Sequence, residues 1–327
     1  MKFTNRYNLP GILLRAVTKQ NAKYDRGNVH RSVTQLIQPP RIDILRKKHF
    51  REMEKDLSEE WWGLLGSAVH HILEMGADKG ETTEERFFAT VDGWKLSGAC
   101  DLQEHHADSS VSFSDYKVTT SFAVMSGEEG FKEEWEYQLN LLAYLARKSK
   151  NLVIRDLTIV AIIRDWQRKQ AEVNRDYPQA PVLPIRIPVW PMEKAEQYIK
   201  DRVNAHRIAE FTQKMTGDLP DCSDYERWVR GDSWIVQKEG NKRATKRVDT
   251  EAEAVAYIEK EVKKDKDKYR AVFRRGEPVR CMGNYCQVAA WCSQWQKEKA
   301  EQDAGNAGSE DGGEMGLAVH GDGTPKE

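Results

Sequence analysis

The sequence predicts a mixed α/β protein, a central sheet of mixed strand direction flanked by helices, with a small C-terminal α+β lobe that carries cysteines. Three observations predict it. Strand-like runs and amphipathic helical stretches alternate between residues 85 and 213, the grammar of a sheet with helices on its faces. Beyond Gly217-Asp218-Leu219-Pro220 the elements shorten to a hairpin, a helix and a strand, and this stretch ends in three closely spaced cysteines. Residues 300–327 are rich in Gly, Asp and Glu without apolar periodicity. Such a tail cannot bury enough surface to offset its ordering entropy. The expected division is a core over 1–217, a lobe over 218–299 and a disordered acidic tail over 300–327.

The first third reads helical. Residues 32–37 make a short helical turn halted by Pro39-Pro40, and strong helix formers continue from Arg41 to about Asp56. Ser58-Glu59-Glu60 starts the next helix with a capping hydroxyl and early acids, and that helix runs to Gly76. Strands follow at 85–91, 94–103 and 111–118, the first two joined by the tight-turn dipeptide Asp92-Gly93. Trp135, Leu139, Leu142 and Leu145 or Ala146 share one face of a helix over 131–148. Residues 152–166 and 182–190 are further strands, and 191–213 is a helix. In the lobe, 234–238 and 244–248 form a hairpin around Gly240-Asn241, Thr250 caps a helix over 250–263, and 269–274 is the last strand.

Composition excludes several classes. Hydrophobic residues at 39% and charged residues at 31% describe a soluble globular chain. No apolar run approaches the roughly eighteen residues of a membrane span. The N-terminal Leu9-Pro10-Gly11-Ile12-Leu13-Leu14 patch lacks a signal-peptide core and cleavage site. Five cysteines in 327 residues do not make a secreted disulfide scaffold, so a reducing cytoplasm is the expected compartment. Formal charge is −1, yet residues 301–327 hold seven acids and one lysine, which leaves +5 on residues 1–300. That balance is compatible with a phosphate-binding cleft without requiring one.

Four polar elements carry the candidate chemistry: His70 in Gly66-Ser67-Ala68-Val69-His70, Asp101 closing Gly98-Ala99-Cys100-Asp101, Asp115-Tyr116-Lys117, and Gln138. Strand side chains alternate faces, so Asp115 and Lys117 project together and Tyr116 points the other way. If the two strands pair, Asp101 and Asp115 approach one point, where two carboxylates repel unless a cation sits between them. Mg²⁺ prefers oxygen ligands, and Mn²⁺ tolerates an imidazole such as that of His70. Such an ion lowers the pKa of a bound water and polarises a phosphoryl oxygen, while Lys117 could orient that water or offset transition-state charge. These parts suit hydrolysis of a phosphodiester. Each alone has an ordinary reading: a solvated strand end, a surface or core histidine, a turn cap, an exposed helix residue. His71, about 100° round the helix from His70, takes the surface role, and Cys100 the core role.

The order and spacing of the four elements resemble the PD-(D/E)XK nuclease superfamily, within it the RecB-like exonuclease branch that includes CRISPR-associated adaptation nucleases and phage exonucleases. The stretch from Gly66 to Glu74 is similar to that branch's Gly-x-x-x-His helix, Gly98 to Asp101 to its Gly-x-x-Asp strand, and Asp115-Tyr116-Lys117 to its Asp-x-Lys strand. The helix around Gln138 resembles its glutamine-tyrosine motif, although the position four residues on is Leu142, and Tyr144 lies roughly 120° away. The resemblance covers residues 32–190 and, more loosely, the cysteine-bearing end. It implies a restriction-endonuclease-like core and a divalent-metal-dependent DNA exonuclease. Its expected work is at DNA ends in recombination, replication or repair, of phage type, in the cytoplasm of a bacterial host. Expected partners are DNA and a recombination or single-strand-annealing protein. It further implies that His70, Asp101 and Asp115 ligate Mg²⁺ or Mn²⁺, with the Tyr116 carbonyl as a further ligand. Lys117 would be the catalytic lysine, and Gln138 would contact the scissile region, so that the catalytic set is Asp101, Asp115, Lys117 and Gln138. Two alternatives stand beside it: a catalytically silent DNA-binding or assembly protein on the same fold, and an endonuclease or nickase.

Cys281, Cys286 and Cys292 lie within twelve residues, and Cys222 offers a fourth thiol. Four thiolates suit zinc or an iron–sulfur cluster; reduced core cysteines are the ordinary alternative. The resemblance favours a 4Fe–4S cluster, which would staple a lobe too small to hold itself together. The lobe also carries Lys242, Arg243, Lys246, Arg247, Arg274, Arg275 and Arg280, interleaved with Trp228, Trp234 and Trp291. These could stack and pair on a single strand, or form a solvated basic face over core tryptophans.

Overall fold

The structure is a computed structural model that describes residues 1–23, 27–125, 131–241, 243–283 and 285–310. Lys242 and the 311–327 part of the expected tail lie outside the described residues. The chain divides into two compact units, Met1–Pro220 and Asp221–Glu327. Among the described residues, no helix is long and apolar enough to cross a membrane.

The first unit is built, in chain order, from β1 (Lys2–Thr4), α1 (Gly11–Lys23), β2 (Arg31–Ser32), α2 (Val33–Leu36), α3 (Pro40–His49), β3 (Glu54–Asp56) and α4 (Trp61–Glu74). There follow β4 (Glu81–Val91), β5 (Trp94–His105), β6 (Ser110–Thr119), α5 (Ser121–Met125), α6 (Glu133–Lys150), β7 (Val153–Ile163), α7 (Arg168–Val173), β8 (Val182–Ile187) and α8 (Met192–Thr216). Ser32 and Gln35 cap α2 reciprocally, the Gln35 N–H donating to the Ser32 hydroxyl and the Ser32 N–H to the Gln35 side chain at 3.1 Å. Pro40 restarts the chain as the first residue of α3.

The helix expected from Arg41 to Asp56 ends at His49, because Glu54–Asp56 is drawn into a parallel ladder with Lys2–Thr4. Asp56 then serves two loops. Its Oδ2 accepts from Thr4 Oγ1 and the Arg6 N–H, both at 2.9 Å, and its Oδ1 accepts from the Ser58 N–H at 3.0 Å and Ser58 Oγ at 2.7 Å. The cap before α4 is therefore Asp56 and not Ser58, and α4 begins at Trp61 after one 3₁₀ turn over Leu57–Glu60.

The main sheet has six strands in the order β2-β5-β6-β7-β8, with β4 along the other edge of β5. The pair β4/β5 is an antiparallel hairpin whose turn residues Asp92 and Gly93 both have positive φ, 47° and 79°, as a type I′ turn requires. β5/β6 and β7/β8 are antiparallel, and β6/β7 are parallel, a step that needs the crossover α6 supplies. The sheet is thus mixed, flanked by helices. The inner face of α6 buries Trp135, Leu139, Leu142 and Leu145. It can seat closely because β5 has Gly98 beneath it: a Cβ there would lie 3.0 Å from both Leu142 Cδ1 and Val33 Cγ2. α8 covers the unit with a stripe of Ala195, Ile199, Val203, His206 and Ala209, one helical face.

The second unit comprises α9 (Asp224–Arg227), β9 (Ser233–Lys238), β10 (Lys246–Val248), α10 (Glu251–Glu261), β11 (Tyr269–Arg274), α11 (Val279–Met282) and α12 (Ser293–Glu310). Its three strands form an antiparallel sheet in the order β10-β9-β11. Thr250 caps α10 in a capping box with Glu253. α12 reaches Glu310, into the segment expected to lack structure. Lys297-Glu298-Lys299-Ala300-Glu301-Gln302 is a run of strong helix formers that carries the helix past Ala300.

Candidate functional site

The site forms where the main sheet forks. One edge of β5 is shared: β2 pairs with Leu96 and Ser97, and β6 pairs from Leu102 to His105. The next pair in the β5/β6 register would be Asp101 with Asp115, and there the two strands part. Asp101 bridges the fork, its Oδ2 accepting the Tyr116 N–H at 2.9 Å. On the other edge of β5, the ladder with β4 skips one pair, between Thr83–Leu102 and Glu85–Cys100. The residue skipped on β4 is Glu84, held at a φ of 53°, a region that side chains other than glycine visit rarely. Two acids from neighbouring strands therefore stand at one break.

Helix α4 brings His70 to them. Its Nδ1 lies 3.5 Å from Asp101 Oδ2 and 3.7 Å from Glu84 Oε1, and its Nε2 lies 3.1 Å from the Tyr116 carbonyl oxygen. His70, Glu84 and Asp101 have ligand atoms within 4.8 Å of one another, the one such group found among the described residues. Asp115 sits beside this group with different partners. Its Oδ1 accepts from Gln138 Nε2 at 2.8 Å, and its Oδ2 lies 2.5 Å from the Lys117 ammonium. Asp115 is buried, and the Asp101 side chain is 11% exposed.

Electrostatics follow from that crowding. Burial pushes the Asp101 carboxyl up to about 7, and the neighbouring Asp115 charge adds to it against the pull of His70, the Tyr116 N–H and Lys117. Glu84 raises the His70 imidazole, assisted by Asp101 and Asp115 and opposed by burial. Burial leads the Asp101 shift and the Glu84 contact leads the His70 shift, and in both the gathered carboxylates favour a positive charge, as a proton or a cation, among them.

The expected site residues are thus brought together, with a changed division of labour. His70 and Asp101 share a group, and Asp115, Lys117 and Gln138 form an adjoining one. The Tyr116 carbonyl faces His70 Nε2, on the opposite side of the ring from Glu84 and Asp101, which suits an orienting contact better than a ligand. Glu84 escaped the sequence reading because the strand was expected to begin at residue 85. Its only sequence signal is an acid beside a strand, which many surfaces share. His71 pairs with Glu74 on the exposed side of α4, and Cys100 is fully buried. Tyr144 is buried with Lys148 over its ring, and its charged neighbours Glu196 and Asp92 are not site residues.

In the second unit, burial first and then Cys286 and Cys292 push the Cys281 thiol up to about 11. Cys286 is raised by burial and by Cys292, against the Val288 and Ala289 backbone and Arg280. These three thiols therefore lie near one another. The backbone of Cys222 is held by Gln294, two residues beyond Cys292, in bonds of 2.9 and 3.0 Å. Among the described residues, no three of the cysteine sulfurs fall within the 4.8 Å spacing of the His70 group, whereas one zinc ion with Zn–S of about 2.3 Å sets its sulfurs at roughly 3.8 Å. Of the interleaved residues, Arg280 lies over Trp228 at 4.9 Å, and Trp234 meets Phe273 edge-on at 5.6 Å.

Residues 226–277 match a family described as "Uncharacterized protein conserved in bacteria (DUF2188)". No curated protein matches the chain. Among solved structures, the crystal structure of SSO0001 matches with 16% sequence identity over 61% of this chain and 85% of that chain, at a TM-score of 0.41. A likeness of that degree assigns neither fold nor function.

Proposed function

We propose that the chain is a divalent-metal-dependent DNA nuclease, an exonuclease working at DNA ends, on a restriction-endonuclease-like core. The observation that carries this reading is the fork between β5 and β6, where Asp101 and Asp115 leave the ladder together beside His70, Glu84, Lys117 and Gln138. The donor set is carboxylate oxygens and one imidazole, which fits Mn²⁺ and, with water completing the oxygens, Mg²⁺. His70, Glu84 and Asp101 would hold the ion, with Asp115 as the adjoining carboxylate. When bound, the metal supplies a water of lowered pKa and polarises a phosphoryl oxygen.

The chain's own residues set the geometry. The Tyr116 carbonyl orients His70 through Nε2 and leaves Nδ1 toward the two acids. Gln138 fixes one oxygen of Asp115. Lys117 places an ammonium where it offsets charge on the phosphate as a water oxygen attacks phosphorus and the leaving oxygen departs. For the thiols, Cys222, Cys281, Cys286 and Cys292 would hold a 4Fe–4S cluster. The resemblance supports that over zinc, and Cys281, Cys286 and Cys292 lie near enough to raise one another's thiols. A visible absorption shoulder and bound iron in anaerobically purified protein test this, and a chain carrying zinc or no metal overturns it.

The test of the nuclease reading is cleavage of end-labelled linear duplex and single strands, against closed circular DNA, with each metal. Asp115→Asn and Lys117→Ala should abolish digestion from ends while the circular dichroism spectrum stays unchanged. Cleavage persisting in both variants would remove the assignment. Nicking of closed circles would make the protein an endonuclease, and binding without cleavage a DNA-binding protein.

A further inference from the structure

The charges of the second unit are sorted between its sheet and its helix. The strands β9, β10 and β11 together carry five basic residues and no acid, whereas α10 carries four glutamates and one lysine. Register assigns faces to the strand residues. Trp234 stands between Val248 and Phe273, and Val236 between Lys246 and Ala271, on one face; Ile235 stands between Arg247 and Val272, and Gln237 beside Arg270, on the other. Arg274, paired with Ser233, shares that second face.

Val236 on the first face is fully buried, and on the second face Ser233 and Ile235 are buried as well, while Gln237, Arg270 and Val272 line a shallow cavity of about 270 Å³ with the hairpin residues Lys238 to Asn241 and no residue of α10. The second face presents Arg247, Arg270 and Arg274, all exposed, around the buried Ile235. A counter-charge stands at its hairpin end, where Glu239 lies 3.7 Å from Arg270. Four residues along a strand separate Arg270 from Arg274 by roughly 13 Å, and two strand spacings put Arg247 about 10 Å to the side. Three guanidinium groups therefore form a triangle rather than a line.

We propose that these three arginines bind the phosphate backbone of duplex DNA. A fixed fork of donors suits phosphate oxygens, and a triangle of this width addresses phosphates of two strands across a groove better than those of one strand in line. Guanidinium groups that engage phosphate oxygens position a duplex without reading its bases, so this contact is independent of DNA sequence. The inference does not rest on the nuclease reading, because charge and register alone carry it.

The experiment is fluorescence anisotropy of a labelled duplex with the full chain in EDTA, over a series of salt concentrations. Arg247→Gln/Arg270→Gln/Arg274→Gln should weaken duplex binding at least tenfold. It should also flatten the slope of log affinity against log salt by about 0.9 for each phosphate no longer neutralised. The corresponding triple lysine variant should keep most of that slope. Because EDTA withholds the divalent ion, the readout is binding and not cleavage, which separates this surface from the nuclease chemistry. Unchanged affinity and slope in the glutamine variant, with its fold intact, overturn the inference. So does a loss confined to single-stranded probes.

Discussion

Glu84 shows how a single residue can be held against its own preference. A left-handed conformation costs a non-glycine residue about 1–2 kcal/mol, and the neighbouring ladder on both sides keeps Glu84 there. Strain of this kind gathers where a side chain must be aimed. Glu84→Gly should therefore raise stability by up to about 1 kcal/mol, the relief being partly offset by backbone entropy. The same variant should weaken Mn²⁺ binding by tenfold or more. Thermal melts and calorimetric titration with Mn²⁺ read the two effects separately, and an unchanged Mn²⁺ affinity would remove Glu84 from the metal group. At this scale His70, Asp101, Asp115, Lys117 and Gln138 were legible because each is a polar side chain where the local pattern calls for an apolar one. Glu84 was not, because its aim depends on the skipped pair with Asp101.

Between elements, the seat of α6 on β5 depends on a missing methyl group. Gly98→Ala would press against Leu142 and Val33 at 3.0 Å, and overpacking of this kind costs about 1–3 kcal/mol. Because Gln138 lies one turn before Leu142 on the same helix, the shift should also loosen its bond to Asp115. Adding Leu142→Ala should restore part of the lost stability, a coupling that denaturant melts of the two single variants and the double one will measure. Gly66 in α4 is the contrasting case. A Cβ there would meet no atom within 4 Å, so Gly66→Ala should stabilise the helix by about 1 kcal/mol, read as a higher melting temperature. Open space one turn before His70 is where a substrate backbone could approach, and a lower melting temperature in Gly66→Ala would show that the helix is constrained there by the fold itself.

Across the first unit, a buried polar network ties β2, α3 and α8 together. Arg31 Nε lies 2.8 Å from Asp43 Oδ2 and its Nη2 2.6 Å from Glu210, while His206 Nε2 faces the Leu36 carbonyl at 3.1 Å. Asp43→Ala would leave Arg31 with Glu210 as its remaining carboxylate partner, at a cost below the roughly 3–5 kcal/mol of a buried charge left wholly unpaired. His206 sets an acid limit. Burial lowers it from 6.5 to about 4, with Arg202 and Arg31 acting the same way and the Leu36 carbonyl and Asp43 opposing. Between those values the unfolded chain binds a proton that the folded chain does not, so stability is full above pH 6.5 and falls as pH drops toward 4. The loss is on the order of 3 kcal/mol. Urea melts across that interval should show the slope in the native protein and a flatter one in His206→Gln; equal slopes would assign the acid sensitivity elsewhere.

Several elements are decided by short-range chemistry alone. The strand Tyr269–Arg274, the Thr250 cap of α10, the Asp92-Gly93 hairpin and the apolar face of α6 all follow from propensity, turn type and period within a few neighbouring residues. Tertiary structure decided what depends on distant partners. Glu54–Asp56 became a strand because Lys2–Thr4 lies beside it, and Asp115 took Lys117 and Gln138 while Asp101 took His70 and Glu84. The physical reason is range: backbone preference is worth tenths of a kcal/mol per residue, less than a ladder bond or a buried charge contact supplied from far along the chain.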